Sequence, residues 1–271
     1  MIFGFARKSI TQFRLTFSFS YTPKFLRNKK LWRDIEMKYE KIKLIYNDKL
    51  LYVLGALLGD GCLYHWKTNY YFVLLMGDEK FTAKYADRVT SCTGIKSKNY
   101  INRSQNVWFV KCNNLWLYSL FKKIREDLGH LEGLIKQNGE CSTLFFIEGF
   151  FDAEGCVKVV KEKTRRKTSK ICLDITNTNF EILELVRKLL KENLGIEARY
   201  SSQEEHLGKD GFMRKKVYHL RIYKKEFVKI FFENINTTKL KEEKMIYVEN
   251  WFKLNENVST HSQNFSQLVA N

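Results

Sequence analysis

One pattern occurs twice in this chain and constrains everything around it: Leu51-Tyr-Val-Leu-Gly-Ala-Leu-Leu-Gly-Asp-Gly61 returns as Phe145-Phe-Ile-Glu-Gly-Phe-Phe-Asp-Ala-Glu-Gly155. Each copy is an apolar run that ends in a carboxylate and a glycine. In register, Gly55 falls on Gly149, Gly59 on Ala153, Asp60 on Glu154 and Gly61 on Gly155. Read as helices, the copies carry small residues at i and i+4 on one face, which lets two backbones approach closely. The two acids then emerge together at the helix ends. Two copies imply two similar halves.

The rest of the chain supports a globular protein with a polyanionic partner. With 271 residues and 44% hydrophobic content it can bury one large core or two modest ones. Lys and Arg number 47 against 30 Asp and Glu, a formal charge of +17, which favours nucleic acid over an acidic small molecule. The six cysteines, Cys62, Cys92, Cys112, Cys141, Cys156 and Cys172, show no CxxC and no paired metal spacing. Free thiols are expected rather than a zinc site or a secreted disulfide framework. Each apolar run stops at its acid, short of the roughly 18 residues a membrane span needs. A soluble, intracellular protein without a membrane partner is therefore expected.

Residues 1–46 form a basic N-terminal extension in which the first acid is Asp34. A transit peptide, a DNA-backbone arm and an upstream extension before Met37 all fit such a segment. From Asn47 the first half, 47–124, predicts a helix to about Leu58, strands near Cys62–Trp66 and Tyr70–Met76, and a helix from Asp78 with a Phe81, Tyr85, Val89 stripe stopping at Thr93-Gly94. Strands near Lys96–Asn102 and Val107–Cys112 and a helix from Asn114 to about Ile124 complete it. Residues 125–142 read as a linker. The second half, 143–254, repeats the order: strands at 157–160 and 171–176, a helix capped by Asn177 or Asn179 and ending at Leu194-Gly195, then Val217–Ile222 ahead of a helix bearing Phe227, Phe231 and Ile235. Lys239–Phe252 adds a terminal helix, and 255–271 is a polar tail.

Two carboxylates at adjacent helix ends suit a hard divalent cation, and helix C-termini with their partial negative charge favour cations as well. For a single copy, an ordinary solvated acid before a glycine turn explains the motif equally well. Two copies in register in a strongly basic chain favour a functional pair.

Both runs resemble the motif of the LAGLIDADG homing endonucleases, in the single-chain form with two copies, over roughly 47–253. The resemblance implies an α+β fold of two pseudo-symmetric αββαββα halves, with the motif helices at the interface and two saddle-shaped antiparallel sheets. It implies a monomeric, intron-encoded, site-specific endonuclease that hydrolyses both strands of a long asymmetric double-stranded DNA target across the minor groove with Mg²⁺, or Mn²⁺ as substitute, and uses no small-molecule substrate. The family's catalytic acids carry over to Asp60 and Glu154, with the backbone carbonyls of Gly59 and Ala153 as further metal ligands. Asp152 aligns with Leu58 and is expected to serve the helix end or interface instead. The family's supporting lysine maps to Lys224 or Lys225 in the second half and to Lys111 in the first.

DNA contacts are expected from Lys67, Asn69, Lys96, Lys98, Asn102, Arg103, Lys158, Lys163, Arg165, Arg166, Arg199, Ser201, Gln203 and Lys215, as base readers or phosphate contacts. The five histidines form no HxH or HExxH and are expected on the surface or in the core. A maturase acting on intron RNA with the same scaffold is the alternative function, and a non-catalytic DNA-binding regulator a third. A prokaryotic cytoplasm, at the nucleoid, is the expected location, with an organelle as the other choice.

Overall fold

The stretch between Asn47 and Gly61 sets the frame, because its helix is buried along almost its whole length. In the computed structural model, which describes residues 44–66, 70–161, 169–208, 210–240, 244 and 246–252, α1 runs Asp48–Asp60 with Leu50 to Leu57 all buried. Asn47 caps it, its side-chain oxygen accepting from the Leu50 amide. Chain contacts separate two units, 1–41 and 42–271, and the described residues belong to the second. Most of the N-terminal extension, the polar tail from 255, and the predicted contacts Lys67, Asn69, Lys163, Arg165 and Arg166 lie outside the described residues.

After α1 come β1 (Gly61–Trp66), β2 (Tyr70–Gly77), α2 (Glu79–Thr93), β3 (Asn99–Asn102), β4 (Val107–Cys112) and α3 (Leu115–Glu126). Asp78 and Asn114 cap α2 and α3, and Gly94 stops α2 with a left-handed φ of 68°, which glycine adopts without steric cost. The order then recurs as α5 (Glu140–Glu154), β5 (Gly155–Lys161), β6 (Ser169–Asn177), α6 (Phe180–Leu194), β7 (Arg199–Gln203), β10 (Val217–Ile222) and α7 (Lys225–Asn234). Asn179, rather than Asn177, caps α6. Residues 246–252 are helical, within the span expected to close the chain.

Two features differ from the expectation. The span read as a linker contains a helix, α4 (Gly129–Asn138), which begins without a side-chain cap and buries only Leu131 and Ile135. Between β7 and β10, a hairpin of two-residue strands, β8 (His206–Leu207) and β9 (Met213–Arg214), stands out from the surface. The core also begins earlier than 47, since Leu44 is buried and the Ile45 amide donates to the Cys92 carbonyl at 2.8 Å.

Each half holds one antiparallel four-stranded sheet, in the orders β1-β2-β4-β3 and β5-β6-β10-β7. Strand alternation splits each sheet into a helix-facing side and an open side. Val73, Leu75, Val110 and Cys112 of the first sheet are buried with Phe81 and Tyr85 of α2 and Phe121 of α3. Val157, Leu173, Ile175, Leu220 and Ile222 do the same in the second sheet with Val186 of α6 and Phe231 of α7. Full burial of one such side chain stabilises by about 1.5–3 kcal/mol, so these helix-facing sides hold the sheets in place. The open sides are left to carry function.

Candidate active site and nucleic-acid interface

The site is built by the packing of α1 against α5. A side chain on Gly55 would fall 2.9 Å from the Phe150 amide nitrogen, and one on Gly149 would fall 3.0 Å from the Ala56 nitrogen. Each glycine therefore sits against the other helix's backbone. Further down, a side chain on Gly59 would lie 2.9 Å from Glu154 Cγ and overlap Ala153. The seam thus brings the Glu154 side chain beside the residue that precedes Asp60. Both acids are partly exposed, while Leu57 and Phe151 above them are buried.

At the foot of the seam the Asn177 amide donates to Glu154 Oε1 at 3.2 Å. The cap amides of Gly61 and Gly155 bond back to the carbonyls of Leu57 and Phe151. Gly59 and Ala153 belong to the last four residues of their helices, whose carbonyls have no partner in the helical ladder. Among the described residues no group of three or more His, Cys, Asp or Glu converges as a metal site. The donor set at this place is two carboxylates with helix-end carbonyls. Zinc sites are built with His or Cys ligands, and this set offers neither. Mg²⁺ does, because it keeps several waters and binds through one or two carboxylates together with substrate phosphates. Asp60 and Glu154 would hold it, with the Gly59 and Ala153 carbonyls nearby.

Asp152 points into the seam instead. It is fully buried and accepts from Tyr52 Oη at 2.8 Å, Lys84 Nζ at 3.0 Å, Thr237 Oγ1 at 2.7 Å and the Thr238 amide at 2.7 Å. Lys84 also pairs with Glu148 at 2.7 Å. This network ties α1, α2 and α5 to the segment after α7, and it satisfies a charge that would be costly alone. Burial, reinforced by the Asp152 charge, holds the Tyr52 hydroxyl well above the usual phenol range.

The two lysine positions proposed for catalysis fall in unlike places. Lys111 lies opposite Leu74 on the open side of the first sheet, its Nζ 4.0 Å above the Phe72 ring. Lys224 is the N-terminal cap position of α7, with Nζ 4.9 Å over Phe227, and its counterpart in the first half is the cap Asn114. Lys225 reaches the other way, donating to the Phe252 carbonyl at 3.4 Å. By strand register the counterpart of Lys111 is Arg221, since Lys111 pairs with Leu74 and Arg221 with Asp174.

Of the predicted DNA contacts, Lys96, Lys98, Arg103, Lys158, Arg199, Gln203 and Lys215 are exposed, and Asn102 and Ser201 are half-buried. Register puts Arg199, Ser201 and Gln203 opposite Arg221, His219 and Val217, and so on the open side of the second sheet with Lys158. At the centre of that side is a buried acid that sequence reasoning missed. Asp174 pairs with Lys158, with Arg221 at 3.3 Å and with His219 at 3.1 Å, and His219 Nδ1 also lies 3.1 Å from Thr176 Oγ1. The residues come from three strands, so only the pairing register assembles them. The described cysteines are free, and burial pushes the Cys92 thiol up to about 12. No helix among the described residues is long and apolar enough to cross a membrane.

Residues 143–236, which span α5 to the end of α7, match the family described as a LAGLIDADG-like domain. The chain carries a LAGLIDADG-like domain. The αββαββα order of that segment is also the order of residues 48–126, so one plan is laid down twice around the α1–α5 seam. An uncharacterized protein of Methanocaldococcus jannaschii is 27% identical over 178 residues, 64% of this chain and 65% of that protein, so the chain spans about two thirds of the length of this relative. Solved structures with a similar course include the homing endonuclease I-DmoI, in mesophilic variants (24% identity, 70% of this chain and 96% of that one, TM-score 0.46) and in complex with DNA and Ca (22%, 74% and 97%, 0.49). Another is full-length DUF199/WhiA from Thermatoga maritima, at 12% identity over 86% of this chain and 72% of that one, with a TM-score of 0.48.

Proposed function

We propose that this LAGLIDADG chain is a site-specific, divalent-cation-dependent endonuclease that cuts double-stranded DNA as a monomer, in the manner of an intron-encoded homing enzyme. The observation that carries the proposal is a seam too close for any residue but glycine at Gly55 and Gly149, which runs down to Glu154 beside Gly59, the residue before Asp60. An acid pair at such a junction belongs to both halves at once, which suits a reaction on two strands. A bound Mg²⁺ supplies Lewis-acid stabilisation of charge developing on a scissile phosphate and activates water. Asp60 and Glu154 would hold and orient that centre, while the basic residues on and around the open sides of the sheets position the duplex. The formal charge of +17 supports a polyanionic substrate whose affinity falls steeply with salt. The proposed location is the prokaryotic cytoplasm, at the nucleoid.

The test is cleavage of a supercoiled plasmid that carries the uninterrupted allele of the coding locus, with Mg²⁺ or Mn²⁺ at low salt. Linear product is expected, and its absence at every metal concentration overturns the activity. Asp60→Asn and Glu154→Gln should each lower double-strand cutting by at least about a thousandfold, the scale of several kcal/mol of transition-state stabilisation. Duplex binding in the absence of metal should survive both changes. Loss of binding would make these acids structural.

A further inference from the structure

The two open sides occupy equivalent positions in the two halves and differ in chemistry at their centre, while at the margin Asn102 stands where the second sheet has Gln203. Gly61 pairs with Leu75 and Gly155 with Ile175, so the strands superpose residue by residue. Where the second sheet has Lys158, Asp174, Thr176, His219 and Ser201, the first has Tyr64, Leu74, Met76, Phe109 and Tyr100. Lys111 is the charged exception, and it lies over the Phe72 ring. Exposed Lys96, Lys98 and Arg103 flank the apolar side, so a polyanion is still the partner that the surrounding charge fits.

We infer that the first sheet recognises its half of a DNA target through the C5-methyl groups of thymines, whereas the second sheet reads hydrogen-bonding edges. The inference rests on the proposal that the chain binds duplex DNA. In the major groove only thymine offers an apolar group, and an apolar side chain is its natural contact. An apolar surface laid on G·C pairs would leave the guanine acceptors and the cytosine amino group without partners, at the desolvation cost of each. The ring arrangement argues against the other use of aromatic surfaces, stacking on unpaired bases. Tyr64 and Phe72 stack on each other at 5.0 Å and 14°, and Lys111 covers Phe72, so these ring faces are engaged within the sheet. A stacking platform needs them free. On the second sheet Arg199 and Gln203 are exposed donors and acceptors suited to guanine and adenine edges.

The test is selection by the full-length protein from a random duplex library without divalent metal at low salt. A two-part consensus is expected, one part rich in A·T and the other with fixed G·C positions. Replacing thymine by deoxyuridine in the A·T-rich part removes only the methyl and should weaken binding about fourfold per contacted position, the worth of one buried methylene-sized group. The same replacement in the other part should change little. Phe109→His and Tyr100→Ser install polar groups of the kind the second sheet already tolerates, and each should abolish the deoxyuridine penalty in the first part alone, with circular dichroism unchanged. A consensus whose methyl groups are silent in both parts overturns the inference and leaves DNA binding intact. Preferred retention of single-stranded DNA or RNA, lost in Phe109→His, also overturns it, in favour of stacking. No enrichment of any duplex would instead remove the DNA-binding reading beneath it.

Discussion

The seam between α1 and α5 and the open sides of the two sheets are both duplicated, yet one has stayed alike in its two copies and the other has diverged. Gly55 and Gly149 each lie against the opposite backbone, and Gly59 and Ala153 meet lower down, so the seam tolerates little change in either copy. On the sheets, Leu74 stands where Asp174 does and Phe109 where His219 does, with the buried sides behind them still apolar in both halves. Close packing restricts volume at every position it touches. An open side restricts only what the partner must meet. The fold and the placing of Glu154 beside Gly59 are therefore held in the seam, and the chemistry of the open sides is free to differ between the halves.

The strongest way to break this contrast is to put volume into the seam. Gly149→Val places a branched side chain against the Tyr52 carbonyl and the Ala56 nitrogen, neither of which can move without shifting a helix. A loss of at least about 3 kcal/mol is expected, at the upper end for overpacking, because the obstacle is backbone. Urea unfolding followed by circular dichroism measures it. A change below about 1 kcal/mol would mean that the helices can separate locally, and the seam would no longer be the constraint that keeps the copies alike.

A smaller effect is expected on the divergent side. Asp174→Leu gives the second sheet the residue that the first already has, and removes the partner of Lys158, Arg221 and His219. Those side chains are 14–45% exposed and can turn to water, so the stability loss should be only about 1–2 kcal/mol. Their freed charge should show in binding instead. The log–log salt dependence for a non-specific duplex should steepen by about 0.9 for each cation that gains a phosphate, while discrimination between duplexes weakens. An unchanged salt slope with unchanged discrimination would show that Asp174 does not hold these groups for the partner.

The same contrast explains how much the sequence discloses. The seam is legible because its signal is local: small residues four apart, an acid and a glycine, all repeated in one short run. Caps at Asn47, Asp78, Asn114 and Asn179 and the glycine stops at Gly94 and Gly195 are local too, and they bound the helices where the spacing predicts. Helix α4 escapes because it has no side-chain cap and buries two apolar residues, less than one recognisable stripe. The Asp174 cluster escapes for a different reason. Its members are 16 and 45 residues apart along the chain and meet only through the β5–β6–β10 pairing. The register also separates Arg221, on the open side, from Lys224 at the helix cap, a distinction that spacing along the chain does not contain.

The smallest effect sharpens the comparison inside the seam itself, where the second copy has an acid that the first lacks. Glu148 stands where the first copy has Leu54, buried beside Lys84 and Asp152. Burial raises its carboxyl above the usual 4.5, and the Lys84 ammonium opposes that shift without cancelling it. The folded state therefore holds this proton more tightly than the unfolded chain does. Its stabilising contribution is complete below the unfolded value of 4.5 and is lost as the pH rises through the higher folded value. Glu148→Gln removes the titration while keeping an oxygen for Lys84 to bond. The variant should thus gain on the wild type as the pH is raised from 4 to 8, with most of the gain above 4.5, a window fixed by the direction of the shift. Parallel urea titrations across that range measure it. If the difference runs the other way, Lys84 outweighs burial, and Glu148 is held charged as a second tie between the halves rather than carried as a cost.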